Sequence, residues 1–375
     1  MHSRVLILGA GFGGLELATI LSAELGADAG VTLIDEAEAF VFGYSKLDVM
    51  FGRATPESVR LPYAAIDKPG VTFRRETITA IDPETRRVTT NADEYEADHL
   101  VVALGATYDV EATPGVALGE NEFYSVPGAE RLAAPIAAFE EGNAVIGVCG
   151  APFKCPPAPS EACLLLHDHL VEHGHRDRCT ITFVLPLPSP VPPSPATSEA
   201  LTAAFAERDI RFVPGRRLAS VDADAATVAL DDGSELPCDL LLAVPKHRAP
   251  DVVRDAGMTE DGYVPVDPRT LRTRFENVYA CGDVATVGVP KAGVFSEGAA
   301  RSVAATLVAT LRDESGEGFY DGLGSCYIEF GAGKVGRVDV DFLSGPKPTG
   351  TFQAPSDALV AEKEEFGSSR RARWF

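Results

Sequence analysis

The sequence predicts an α/β protein with parallel sheets, and three patterns along its 375 residues support that prediction. An apolar run at 4–8 precedes a glycine-rich turn and then a stretch with helical spacing. A second apolar run begins at 143, and alternating strand-like runs follow at 324–350. Strands that alternate with helices are typical of parallel sheets. We therefore expect two Rossmann-like domains, the second of them degenerate, and a C-terminal segment that contains β-structure.

Composition and charge narrow the range of partners. Hydrophobic residues make up 45% of the chain and charged residues 23%, as in ordinary soluble proteins. The net charge of −22 would repel the phosphates of nucleic acid and disfavours broad attraction to anionic lipid. The first strand begins too early for a secretory signal, and no apolar run is long enough to span a bilayer. Because the seven cysteines lack CxxC spacing, neither a zinc ribbon nor a secreted disulfide framework is indicated. We expect no nucleic-acid partner and a cytoplasmic location.

The first glycine-rich turn, GAGFGG at 9–14, predicts a dinucleotide site, because it lies between a strand and a helix. Gly9 permits the tight turn, and Gly11 lets a pyrophosphate approach the backbone. Gly14 lets the helix pack closely on the strand. The next strand, VTLID, ends at Asp35, where a carboxylate can accept hydrogen bonds from a ribose.

Two further motifs indicate which dinucleotide to expect. HLVVALGA at 99–106 and the ACGD that ends at Asp283 resemble the ATG-like and GD motifs of two-dinucleotide-binding-domain flavoproteins. In that class the aspartate holds the ribityl chain of FAD. VPKAG at 289–293 then begins a helix whose dipole, with Lys291, would stabilise the negative charge of a reduced flavin. The resemblance implies FAD contacts at Gly9, Gly11, Gly13, Gly14, Asp35, Lys46, Ile78, Ala103, Gly105, Gly282, Asp283, Lys291 and Ala292.

The second Rossmann-like unit lacks the residues that bind a nicotinamide nucleotide. Its strand, NAVIGVCGAPF, has Gly147 and Gly150 but no GxGxxG, and Pro152 breaks an immediate helix start. The following strand, TITFVL, runs into a segment with six prolines between 186 and 195. We expect that segment to be polyproline-like or irregular. Reductant is therefore not expected to enter here as NADH.

Two cysteines lie in distinctive contexts, Cys155 in KCPPAPSE and Cys326 in GSCYIEF. With the flavin motifs, they make essentially the whole chain resemble the sulfide dehydrogenase flavoproteins. That family comprises sulfide:quinone oxidoreductases and the flavoprotein subunit of flavocytochrome c sulfide dehydrogenase. The resemblance implies that Cys155 and Cys326 form a redox disulfide that sulfide attacks, that Glu161 is a general base, and that Lys291 acts beside the flavin. We expect Lys154 and the nearby helix start to lower the pKa of a thiol.

The implied activity is oxidation of sulfide, or of a small thiol or persulfide, with electrons passed through FAD to a quinone or a cytochrome. The chain departs from the family pattern at two places. It has no cysteine at 120–130, which puts long polysulfur chains in doubt, and none near 42, so the FAD should be non-covalent. Two alternatives remain open: an NADH:quinone oxidoreductase of the related type, and a flavin-binding redox sensor or partner subunit without turnover. We also expect a homo-oligomer.

The motifs divide the chain into three parts. Residues 1–115 and 265–315 are predicted to form the FAD-binding domain, and 116–264 the degenerate Rossmann-like domain. Residues 316–375 are predicted to close the flavin site.

Three smaller signals concern surfaces. His169 and His173 share a helix face and could chelate a metal, although an exposed helix end is the favoured interpretation. The final SSRRARWF is consistent both with a frayed tail and with a peripheral membrane contact near a quinone entrance. Phe330, Phe342 and Phe366 are candidates to line that entrance.

Overall fold

The structure is a computed structural model that describes residues 3–375, and two parallel sheets organise most of it. The first sheet has five parallel strands. Their order across the sheet is Val278–Ala280, His99–Val102, Val5–Leu8, Val31–Asp35 and Val71–Arg75. Its central strand is buried along its whole length, as expected where helices cover both faces of a parallel sheet. The predicted α/β class is confirmed.

The second parallel sheet has four strands, in the order Ile210–Pro214, Cys179–Leu185, Gly142–Val148 and Leu240–Val244. Ala249, Val253 and Met258 follow this sheet in sequence but pack into the core of the first. The boundaries proposed from the sequence stay predictions. After the strand that ends at Leu185, the chain is irregular until Pro195, as the prolines predict.

Eight α-helices lie in the described part of the chain. They are α1 Phe12–Leu25, α2 Ser45–Met50, α3 Val126–Ala137, α4 Ala158–Glu172, α5 Pro195–Glu207, α6 Asp251–Asp255, α7 Gly293–Leu311 and α8 Asp357–Trp374. Helices α1 and α7 contribute to one core together with the first sheet. Within residues 3–375, no helix combines the length and the apolar character needed to cross a membrane.

The remaining strands of the described chain form smaller, separate sheets. Three antiparallel sheets have three strands each: Ile78–Asp82, Arg87–Thr90 and Glu94–Glu96; Leu218–Asp222, Thr227–Leu230 and Glu235–Pro237; and Leu323–Gly331, Lys334–Asp341 and Thr349–Ser356. Three further pairs join Ala39–Phe40 to Leu61–Pro62, Thr107–Asp109 to Lys246–Arg248, and Val264–Pro265 to Ala285–Thr286.

The C-terminal segment consists of the last antiparallel sheet followed by α8. Trp374 is fully buried and packs edge-on against Phe12 and Phe40. Arg370 and Arg373 pair with the carboxylates of two buried glutamates in α7 and α1. The prediction of a frayed tail is therefore wrong. A peripheral membrane contact of this end stays a prediction, but the buried Trp374 cannot contribute an aromatic surface to it.

Candidate active site

The turn at the N-terminus of α1 is shaped by its glycines. Gly9 has φ +99°, and a Cβ added there would lie 2.4 Å from the carbonyl oxygen of Ala103. A Cβ on Gly14 would lie 1.9 Å from the carbonyl oxygen of Gly9, whereas a Cβ on Gly11 would meet nothing within 4 Å. The open space is thus next to Gly11, where the unpaired N–H groups of a helix start can bind phosphate.

A cavity of about 240 Å³ runs from this turn to Asp283. The predicted cofactor residues in its wall are Gly11, Gly13, Lys46, Ala103, Gly105, Gly282, Asp283 and Ala292. Asp35 lies outside the wall, and its carboxylate accepts from the backbone N–H groups of Ala10 and Ala37, at 2.7 and 2.8 Å. Ile78 is half-buried at the start of a strand and also lies outside the wall. The cavity therefore brings together eight of the thirteen predicted cofactor residues.

Asp283 provides a test of whether this cavity suits FAD. Its Oδ1 is buried and finds no hydrogen-bond partner within residues 3–375, although the residue lines the cavity. A buried acceptor without a partner is unfavourable, and a hydroxyl of a ribityl chain would satisfy it. Burial raises the pKa of Asp283, and the ammonium groups of Lys154, Lys291 and Lys46 oppose that rise. The donor set therefore fits the predicted cofactor.

Two lysines bring positive charge to the cavity wall, Lys46 and Lys154. Lys154 Nζ donates to the carbonyl of Ala106 at 3.0 Å and to the hydroxyl of Tyr108 at 2.9 Å, and Lys46 Nζ donates to the carbonyl of Tyr124. Burial lowers the pKa of both lysines. Lys154 thus lies in the same cavity wall as the predicted cofactor residues, a placement that the sequence did not predict.

Lys291 takes a different position from the one its motif suggests. Its Nζ donates to the carbonyls of Asp283 and Ala285, at 2.6 and 3.4 Å, and lies 3.4 Å from the centroid of the Tyr263 ring. Burial lowers the pKa of Lys291 to about 8, against the opposing charge of Asp283. Lys291 is not among the described residues that line the dinucleotide cavity. Its proposed role at the flavin stays a prediction.

Cys155 and Cys326 come together although 171 residues separate them in sequence. Both line a second cavity, of about 110 Å³, with Glu161 and Lys363. Cys155 also lines the dinucleotide cavity, and it has φ +46°, where its backbone N–H donates to the carbonyl of Lys291 at 2.7 Å. Both cysteines are free thiols in this structure. The geometry allows a redox pair next to the dinucleotide cavity.

The thiols are harder to ionise than expected. Burial, followed by the charges of Glu161 and Cys326, raises the pKa of Cys155 far above its usual value, and Lys46 only partly offsets this. Burial and Glu161 also raise the pKa of Cys326, to about 12. The prediction that Lys154 lowers a thiol pKa is wrong, because that ammonium is hydrogen-bonded within the dinucleotide cavity.

The proline segment helps to form a third cavity, a groove of about 640 Å³ that includes Cys326. Of the three phenylalanines proposed for an entrance, Phe342 lines this groove and Phe366 lines the cavity of the two cysteines. Phe330 instead packs in the core against Phe352.

The histidine cluster lies around the C-terminal end of α4. The rings of His169 and His173 are 4.2 Å apart, and His173 Nδ1 lies 2.7 Å from the carbonyl oxygen of His169. Within the described residues, no three His, Cys, Asp or Glu side chains are grouped so that they could hold a metal ion.

The sequence signature of the pyridine nucleotide-disulphide oxidoreductases matches residues 3–306. The chain belongs to this family. Members of the family bind FAD, so FAD is the cofactor and the protein is a flavoprotein oxidoreductase.

Individual relatives agree with the resemblance found in the sequence. Mouse mitochondrial sulfide:quinone oxidoreductase is 26% identical over 96% of this chain and 82% of its own. The sulfide-quinone reductase of Aquifex aeolicus is 25% identical over 84% of this chain and 78% of its own. A type II NADH:quinone oxidoreductase of Staphylococcus epidermidis is 38% identical, but over 28% of this chain and 26% of its own.

Solved structures show the fold. The X-ray structure of the Aquifex aeolicus sulfide:quinone oxidoreductase superposes with a TM-score of 0.85 at 22% identity, covering 99% of this chain and 92% of that one. The NDH2 of Plasmodium falciparum, solved in complex with NADH, gives 0.78 at 12% identity, covering 100% and 97%. The fold shared with these two structures therefore extends through the C-terminal segment that follows the matched signature.

Proposed function

We propose that this protein oxidises sulfide and passes the electrons through FAD to a quinone, with Cys155 and Cys326 as its redox pair. The observation that carries the proposal is that these cysteines share one cavity with Glu161, and that Cys155 also borders the dinucleotide cavity. Two relatives that match most of the chain, from mouse and Aquifex aeolicus, are named for sulfide and quinone.

The positions of the cysteines suggest their separate roles in the oxidised, disulfide form. Hydrosulfide attacks Cys326, the disulfide bond breaks, and Cys155 leaves as a thiolate while Cys326 carries a persulfide. This direction suits the site because Cys155, and not Cys326, lines the dinucleotide cavity. Glu161 accepts the proton from the new persulfide. Once an acceptor has taken the sulfane sulfur from Cys326, the two cysteines would re-form their disulfide. FAD held beside Gly11 and Asp283 would supply the chemistry that accepts the electron pair and passes it to the quinone.

Burial of the thiols favours the return to the disulfide, whereas it makes Cys155 a poorer leaving group in the first step. Because the pKa values of both cysteines are raised, their thiolates are poorly stabilised in the reduced protein. A destabilised thiolate pair has a strong tendency to re-form the disulfide and release two electrons. Overall, hydrosulfide, a proton and a quinone become one sulfane sulfur and a hydroquinone.

The second sheet argues against NADH as the reductant. A Cβ added to Gly147 would lie 2.4 Å from Leu218 Cδ1, so a side chain already fills the space beside that glycine. A Cβ added to Gly150 would lie 3.3 Å from Cγ of Lys246, which is also a tight contact. A pyrophosphate needs an open glycine backbone, as next to Gly11.

The test is anaerobic titration of the yellow holoenzyme with sulfide, followed by flavin absorbance. We expect sulfide to bleach the wild type and a Cys238→Ser control, and to leave Cys155→Ser and Cys326→Ser yellow. Cys238 is a suitable control because it is half-buried and lies outside the cavities described above. Full bleaching of both site variants would contradict the proposed pair, and bleaching by NADH would favour the related NADH oxidoreductases. The quinone acceptor, the homo-oligomer, the cytoplasmic location and the non-covalent FAD stay predictions.

A further inference from the structure

An apolar groove opens onto Cys326 from the side of the proline segment. Eight of its nineteen lining residues are prolines, and four of them are Pro190, Pro192, Pro193 and Pro348. Val338, Val340 and Phe342 of the C-terminal sheet region form the opposite wall. The groove shares only Ala292 with the wall of the dinucleotide cavity. Its wall includes Cys326 but not Cys155, so the groove leads to the cysteine that carries the sulfane sulfur.

The groove offers almost nothing to a charged ligand. Of the described residues in its wall, only Lys291 and Cys326 can titrate. The ammonium of Lys291 is already engaged by the carbonyls of Asp283 and Ala285 and by the ring of Tyr263. A carboxylate that entered would lose water without gaining a free cation, and such burial is costly. An uncharged ligand would meet no such barrier.

We infer that this groove is the route by which a sulfur acceptor reaches Cys326, and that the acceptor is an uncharged thiol of low polarity. The inference rests on the proposed function. The sulfur of the acceptor attacks the outer sulfur of the Cys326 persulfide and forms a new S–S bond. The persulfide bond breaks, Cys326 leaves as a thiolate, and the proton of the acceptor thiol passes to Glu161 or to water. The transfer itself needs no oxidant, because the sulfane sulfur only changes its partner.

The decisive experiment compares two thiols that differ in charge but little in size. The holoenzyme turns over with sulfide and a short-chain quinone, and 2-mercaptoethanol or thioglycolate is the acceptor. The persulfide formed per quinone reduced is measured by cyanolysis. We expect kcat/KM for 2-mercaptoethanol to exceed that for thioglycolate by at least about tenfold, because only thioglycolate must bury a carboxylate.

Placing a cation in the groove should narrow this preference. Leu187 is half-buried in the groove wall, so we expect Leu187→Arg to reduce the ratio between the thiols to about threefold or less. Pro348→Arg, at the exposed rim, makes the same test with little risk to folding. Val171→Arg, on an exposed position of α4, is the matched control and should keep the wild-type ratio. Because kcat/KM is measured for both thiols in the same variant, a general loss of activity cancels from their ratio.

Three outcomes would overturn the inference. Equal kcat/KM for the two thiols in the wild type would do so, and so would an unchanged ratio in both arginine variants. A raised KM for quinone with an unchanged thiol ratio would identify the groove as a quinone site instead. Sulfide titration separates these failures from failure of the proposed function. If sulfide bleaches the wild type, only the acceptor route is wrong, whereas without bleaching both proposals fall.

Discussion

Glu161 accepts a hydrogen bond at 2.9 Å on its Oε1 from the backbone N–H of Glu329, 168 residues further along the chain. The bond joins the first turn of α4, just after Cys155, to the strand that carries Cys326. Burial raises the pKa of Glu161 to about 7, and the ammonium of Lys363 limits that rise. The carboxylate beside the two cysteines therefore changes protonation near neutral pH, as a proton acceptor should.

The first prediction concerns Glu161→Gln. A base is active above its pKa, so flavin bleaching by sulfide should quicken in the wild type as pH rises through about 7. In Glu161→Gln the rate of flavin bleaching should be about 100-fold lower and should no longer rise as pH passes through about 7. Stopped-flow absorbance at a series of pH values measures both effects.

Ionisation of sulfide itself also contributes to the pH profile, but it is common to both proteins, and their ratio removes it. Glu172→Gln is the control, because Glu172 is exposed at the far end of α4. Parallel pH profiles in the wild type and Glu161→Gln would rule out Glu161 as the base.

The second prediction concerns Lys363, which α8 places in the wall of the cysteine cavity. Its ammonium pairs with Glu329 and lowers the pKa of Glu161. Lys363→Met should therefore raise that pKa, and the step in the bleaching rate should move to higher pH by about one unit. Lys363→Arg keeps the charge and should keep the midpoint. Glu329 retains Arg53 as a partner, so the fold should persist. An unmoved midpoint in Lys363→Met would show that this ammonium does not set the pKa of Glu161.

The sequence could predict features that depend on local pattern. GAGFGG forms the turn at α1 because Gly9 and Gly14 lie so close to other backbone atoms that there is no room for a side chain. The six-residue motif alone predicts this constraint. The parallel sheets follow from apolar runs that alternate with helical stretches, and irregular structure follows from the prolines.

Features that depend on distant packing could not be predicted in this way. No pattern near Glu161 points to Glu329 or Lys363, which arrive from the C-terminal segment. The Lys291 side chain donates to two backbone carbonyls and does not line the dinucleotide cavity as its motif suggests, because a buried ammonium needs acceptors. SSRRARWF has the composition of a surface patch, yet its tryptophan is in the core because two buried carboxylates bind the neighbouring arginines.

The third prediction concerns cofactor retention by Asp283→Ala. This change removes a buried oxygen that lines the cavity without a partner, so FAD should lose one hydrogen bond. The loss of about 1–3 kcal/mol corresponds to a dissociation constant raised about 5- to 150-fold. Flavin fluorescence released on dilution measures it. Asp255→Ala, at an exposed position on α6, is the control. Equal FAD retention by both variants would mean that Asp283 does not contact the cofactor.

The fourth prediction concerns Trp374→Ala. The indole N–H donates to Glu16 Oε2 at 2.9 Å, and the ring is fully buried. Removing a buried tryptophan should cost about 3–5 kcal/mol in the free energy of unfolding. Urea unfolding followed by circular dichroism measures it. The control is Phe319→Ala, because the Phe319 side chain is exposed and its removal should cost little.

The same variant should also change how stability depends on pH. Burial alone would raise the pKa of Glu16, but hydrogen bonds from Trp374 and Arg301 outweigh it, and the folded-state pKa lies below the usual 4.5. A lowered carboxyl pKa stabilises the fold above the unfolded-state value and loses that effect as pH falls through the folded-state value. Without the indole this contribution shrinks, so the stability gap between wild type and Trp374→Ala should be larger at pH 7 than at pH values below about 4. A gap that is the same at both pH values would show that the indole acts only by packing, and that Arg301 and Arg373 suffice to keep Glu16 ionised in the core.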